Sequence, residues 1–231
     1  MRELLLVVAL TLLPTPVDAS CAYVGMTPTV LTRRDTKLPA DGGVLVGYDY
    51  GNDEDGTHGG TDPSDVKWTA TNGKATVALT RTQLAPGLSV YRPPANVSAF
   101  ELAGKTKDHG SYTHEAKSAP VQLPAPAAKA VTTSTTQGFR SMTTTTTLKL
   151  SAAAPADAVA IIAYDSTGAP KMFTTLPDTH DKLLDFAIDT TGGHCGTPKP
   201  EGHGALSGKV TFAYVDAFGR LSAKSAPVTV K

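Results

Sequence analysis

The residues that look most ready for chemistry lie between 51 and 65. Asp53, Glu54, Asp55, Asp62 and Asp65 crowd into a stretch that also holds His58 and several glycines. Counted from Gly51, Asp53 and Asp55 stand at the third and fifth places of a calcium loop, Gly56 at its sharp turn and Asp62 at its twelfth place. Calcium takes six to eight oxygens, and Asp49 or Asp65 would help to supply them. Two departures weigh against the ion. The first ligand should be acidic but is Gly51, and the twelfth is usually a bidentate glutamate. A solvated acidic loop is the favoured reading, with calcium at Asp53, Asp55 and Asp62 as the alternative.

Other chemistries find less support. His194, Cys195 and His203 could be written as a zinc site, but no Cys-x-x-Cys accompanies them. His114-Glu115 is followed by Ser118 rather than by a second histidine, so it is no zincin helix. Nucleophile elbows, phosphate-binding glycine loops and dinucleotide fingerprints do not occur. A hydrolase would have to assemble its site from distant residues such as His109, His114 and the acidic loop. Asn96-Val97-Ser98 is a glycosylation sequon only in a eukaryotic source.

The two cysteines, Cys21 and Cys195, point to the compartment. Residues 1–19 read as a signal peptide: Arg2 is a short positive start, 4–13 is apolar, and Ala19 is the small residue at the cut. The apolar run is too short to span a bilayer. An exported protein with two cysteines is expected to pair them, so a Cys21–Cys195 disulfide is favoured. The rival is lipidation of Cys21, which Asp18-Ala19-Ser20 only partly supports as a lipobox. The expected location is periplasmic, cell-surface or secreted, with no membrane span in the mature chain. With 21 basic and 21 acidic residues, the chain lacks the cationic excess that nucleic-acid binding uses.

The elements that must position these residues read as strands. Ala116-Lys117-Ser118-Ala119-Pro120-Val121 returns unchanged as Ala223-Lys224-Ser225-Ala226-Pro227-Val228, roughly a hundred residues later. Two units that close on the same strand follow: residues 22–123 and 131–231, joined by a stiff Pro/Ala linker at 124–130. In the first unit, strands are expected at 27–31, 44–50, 66–71, 74–80, 88–92, 97–102 and 111–123, with Asn72-Gly73 as a hairpin turn. In the second, the five threonines 143–147 run into Leu148-Lys149-Leu150 as a strand with a solvated threonine face. Residues 158–165, 171–176 and 209–216 are further strands, while 180–189 fits a short helix or a strand equally. Pro120 and Pro227 suit edge positions, because proline gives a ladder no N–H.

Tyr214-Val215-Asp216-Ala217-Phe218-Gly219-Arg220-Leu221-Ser222 resembles the F–G hairpin of fibronectin type III and bacterial Ig-like domains, where Asp-x-x-Gly-x-x-Ser precedes the last strand. Asp108-His109-Gly110 is a looser version in the first unit, and Leu38-Pro39-Ala40-Asp41-Gly42 resembles the turn that feeds strand B. The resemblance implies an all-β protein of two tandem antiparallel β-sandwiches, and it implies no activity. Trp68 is then expected in a core. The expected role is a non-catalytic, exported bacterial adhesion or scaffolding protein with a protein or glycan partner at the cell surface. One alternative is a carbohydrate-binding module with Trp68, Tyr91 or Tyr112 as stacking platforms; the other is the dispersed-site hydrolase above.

Overall fold

The computed structural model describes residues 26–50, 68–72, 75–103, 110–114, 123–137, 142–176, 182–189 and 205–231. The described residues form an all-β protein of sixteen strands without a helix. No helix among them is long and apolar enough to cross a membrane. In the N-terminal half the strands are β1 (Met26–Val30), β2 (Lys37–Leu38), β3 (Val44–Tyr50), β4 (Thr69–Asn72), β5 (Ala75–Ala78), β6 (Thr80–Ala85), β7 (Leu88–Arg92), β8 (Ala99–Ala103) and β9 (Gly110–His114). In the C-terminal half they are β10 (Ala128–Gln137), β11 (Met142–Leu150), β12 (Ala158–Tyr164), β13 (Pro170–Thr175), β14 (Leu183–Asp189), β15 (Lys209–Asp216) and β16 (Val228–Thr229).

Each half is a β-sandwich. The first pairs sheet β2-β9-β8-β4-β5 with sheet β1-β3-β7-β6. Its core takes Leu38, Trp68, Ala70, Phe100 and Tyr112 from one side and Val44, Val46 and Tyr91 from the other. The second pairs sheet β10-β11-β14 with sheet β13-β12-β15-β16. There Val131, Leu148, Leu184 and Phe186 meet Ile161, Met172, Phe212 and Tyr214. All strand pairs within these sheets are antiparallel except β2 with β9.

A third apolar cluster joins the halves. Leu45, Leu88 and Val90 of the first sandwich pack on Ala160, Ile162, Ala213 and Val215 of the second. These residues alternate with the ones that fill each sandwich, so the two inner sheets are buried on both faces. The protein is therefore a stack of four sheets. Ala85, Ala160 and Ala213 lie among the larger side chains of this seam, and a β-carbon on Gly47 would stand 3.4 Å from Phe173 Cζ.

Several expectations change in detail. Residues 74–80 divide into β5 and β6, with Leu79 between them, and the chain passes there from the outer sheet to the inner one. Residues 183–189 are a strand, because β14 pairs along its full length with β11. β10 begins at Ala128, inside the segment expected to be linker.

Candidate functional site

The Asp216 hairpin is the most fully bonded turn among the described residues. Asp216 Oδ1 accepts from the backbone N–H of Phe218 and of Arg220, both at 2.9 Å. Its Oδ2 accepts from Arg220 Nε–H at 2.7 Å. Gly219 N–H donates to the Asp216 carbonyl, and Gly219 holds φ at 76°, where a β-carbon is strained. The same arrangement closes the hairpin between β12 and β13. Asp165 Oδ1 accepts from Thr167 N–H, Thr167 Oγ1–H and Ala169 N–H, and Gly168 holds φ at 83°. The Thr167 hydroxyl is the largest of the influences that hold the Asp165 carboxyl at about 2, aided by the two backbone donors and by Lys171, against an opposing desolvation.

Of the two turns, the Asp216 turn is the one that bonds to the other sandwich. Gly43 N–H donates to the Phe218 carbonyl at 2.9 Å. Thr32 Oγ1–H donates to the Ala217 carbonyl at 2.6 Å and accepts from Leu45 N–H at 2.7 Å, so one hydroxyl ties both halves. Phe218 packs against the core of the first sandwich. Arg220 Nη1 lies 3.7 Å from Asp41 Oδ1. The approach is close: a β-carbon on Gly42 would sit 2.9 Å from Phe218 Cβ, and one on Gly219 would sit 2.7 Å from Val90 Cγ2. The F–G-like hairpin of the second sandwich is thus a plug in the first.

The second copy of the repeated sequence, 223–228, lies in the closing segment. After the Val215–Leu221 bridge, Ser222 N–H donates to the Tyr214 carbonyl at 3.0 Å and Ser225 N–H to the Phe212 carbonyl at 2.8 Å, and the two serine hydroxyls bond β15 in return. Ser222 Oγ accepts from Tyr214 N–H at 2.9 Å, and Ser225 Oγ accepts from Phe212 N–H at 3.0 Å. Each hydroxyl stands where a strand carbonyl would otherwise accept. Lys224 Nζ lies 3.8 Å from the centroid of the Tyr164 ring and donates to the Gly168 carbonyl at 3.3 Å. Burial raises the Tyr164 phenol above its ordinary value. The first copy, residues 116–121, lies outside the described residues.

So do most of the residues singled out for chemistry. Asp53, Asp55 and Asp62, Cys21 and Cys195, the expected signal segment 1–19, His58, His109, His180, His194 and His203 are not among the described residues. His114 is described only as a backbone position in β9, beside Leu38. Among the described residues, no group of three or more His, Cys, Asp or Glu could hold a metal ion. Trp68 is in the core, as expected, with 3 % of its surface exposed and its ring 5.9 Å from that of Tyr91. Tyr91 and Tyr112 are buried as well, and Tyr112 stacks on Phe100. None of the three offers a sugar a ring face, which corrects the stacking-platform reading. The seam contacts of Thr32, Gly42 and Gly43 escaped the sequence analysis because their partners lie far along the chain.

No family model matches the chain, and no curated protein does. Two solved structures are similar to it at low identity. A biofilm-associated protein BSP domain is 16 % identical, with a TM-score of 0.24, over 87 % of this chain and 30 % of that one. A DUF3823 family protein from Bacteroides ovatus is 13 % identical, with a TM-score of 0.22, over 73 % of this chain and 90 % of that one. The chain thus spans less than a third of the length of the first. Identities and scores this low assign neither a family nor a role.

Proposed function

We propose that the protein is a non-catalytic, exported binding or scaffolding protein of two β-sandwiches, acting in the periplasm or at a cell surface on a protein or glycan partner. The observation that supports this reading is how the conspicuous polar side chains among the described residues are spent. Asp165, Asp216, Arg220, Ser222, Ser225 and Thr32 all hold turns, the closing segment or the seam. The reading needs no cofactor. Calcium at Asp53, Asp55 and Asp62 would be an addition, seen as a higher melting temperature in millimolar calcium.

The test is retention at a surface. Beads coated with the mature chain should be held by cells of the source organism or by their matrix, and antibodies to the chain should label intact cells. Turnover of peptide, ester or glycoside substrates by the mature chain, lost on substituting His109 and His114, would replace this reading with the hydrolase.

A further inference from the structure

Four sheets present eight edge strands, and an open edge invites pairing with another chain unless something blunts it. Seven of the eight are blunted. β2 and β16 are two residues long, and Pro227 precedes β16. β5 has only four residues. β1 carries Pro28, which has no N–H to give. β6 is broken by a register shift between Gln83 and Ala85. β13 begins at Pro170 and meets a register shift between Ala163 and Tyr164. The free side of β10 is taken by the end of the chain: Thr133 N–H donates to the Lys231 carbonyl, and Lys231 N–H donates to the Val131 carbonyl.

β14 is the exception. It has seven residues, neither proline nor glycine, and an unbroken register against β11 from Thr143↔Asp189 to Lys149↔Leu183. Its pairing with β11 is its only ladder among the described residues. Buried Leu184 and Phe186 fix which face looks inward. On the other face lies Leu183, 58 % exposed, the most exposed large hydrophobic side chain among the described residues. Asp185 shares that face, and one of its oxygens takes the Thr147 hydroxyl at 2.6 Å.

We propose that the edge of β14 turned away from β11, which carries no ladder among the described residues, accepts an added strand from a partner protein, an extended segment in which basic and apolar residues alternate. This rests on the binding-protein reading above and names the class of partner. Backbone bonds along the edge give such a contact its affinity, and alternate side chains give it selectivity. Charge selects the occupant. Exposed Asp185 shares the outward face with Leu183, so a cation at the facing position of an added strand would lie opposite it. The same charge disfavours a second copy of this chain. Antiparallel self-pairing centred on Asp185 would set that carboxylate against its own copy, and like charges directly opposite are destabilising.

The test uses the full mature chain and three labelled peptides of about nine residues: one alternating valine and lysine, one alternating valine and glutamate, and the lysine peptide N-methylated at the amides that would face β14. Saturable fluorescence anisotropy is expected with the lysine peptide, with binding at least about tenfold weaker for the other two. Amides of residues 183–189 should gain exchange protection when the lysine peptide binds. The Asp185→Asn variant should weaken binding and Asp185→Lys should reverse the charge preference, both at an unchanged melting temperature. If either variant unfolds, the peptide series alone decides. No saturation by the lysine peptide at millimolar concentration, equal binding after N-methylation, or β14 amides already fully protected without peptide would overturn the proposal. Surface retention that persists in those cases would leave the broader reading standing.

Discussion

Asp165 and Asp216 make the same turn and each holds an ion pair, with Lys171 and with Arg220, yet only the Asp216 turn is also a plug into the other sandwich. Replacing Asp216 with alanine strips the acceptor from two backbone donors and from the Arg220 guanidinium, and the expected loss is about 2–3 kcal/mol. Asparagine keeps an oxygen for the two amides and should cost about 1 kcal/mol. Urea unfolding of both variants checks the order. At Asp165 the readout is pH. Its carboxyl is held at about 2 in the folded protein, below the ordinary 3.8. The stability it lends is therefore complete above pH about 4 and lost as pH falls through about 2. An NMR titration should give Asp165 a midpoint near 2, and Thr167→Ala should move that midpoint up toward the ordinary value, since the Thr167 hydroxyl is the largest cause of the depression.

The two turn glycines separate strain from contact at the scale of the element. Gly168 and Gly219 both hold positive φ, so alanine at either costs about 1–2 kcal/mol in backbone strain. A β-carbon at Gly168 meets only the end of Lys224, at 3.6 Å, whereas at Gly219 it runs into Val90 at 2.7 Å. Gly219→Ala should thus cost at least about 1 kcal/mol more than Gly168→Ala, and thermal melts of the pair measure the excess. Ser225→Ala should cost about 1–3 kcal/mol, because it leaves the buried Phe212 N–H without its hydroxyl acceptor. Much at this scale was legible in the sequence. β3 and β15 fall on the expected residues, and the Asp-x-x-Gly-x-x-Ser pattern marks a hairpin whose every named residue has a bonding role. The passage between sheets at Leu79 was not legible, since Ala75 to Ala85 contains no proline or glycine to announce it. Nor was the state of 183–189, where the partner strand β11 decides what local periodicity leaves open.

At the scale of the molecule, the seam is what a reading of local sequence passes over. A strand in a two-layer sandwich alternates apolar with polar, but Ala158–Tyr164 is apolar throughout, and Val44, Leu45 and Val46 are all fully buried. Those continuous runs mark sheets covered on both sides. Their meaning is visible only once both inner sheets are seen to need a second cover. Cooperative melting should follow. Trp68, the single tryptophan, reports on the first sandwich, so its fluorescence and the far-UV circular dichroism of the whole chain should melt together. Ala213→Glu places a charge in the middle of the seam and should split the two transitions.

The seam also changes what the peptide connection between the halves is for. Residues 123–127 lead into β10 without joining a strand, and a proline-rich tether of that kind would ordinarily set the spacing of two independent bodies. Here the bodies already grip one another through the Phe218 plug and a shared apolar layer. The tether's remaining contribution is effective concentration, which for short linkers is in the millimolar range. A chain nicked once between Leu123 and Ala127 should therefore elute as one particle. Its fragments, expressed separately, should find each other as a split protein does.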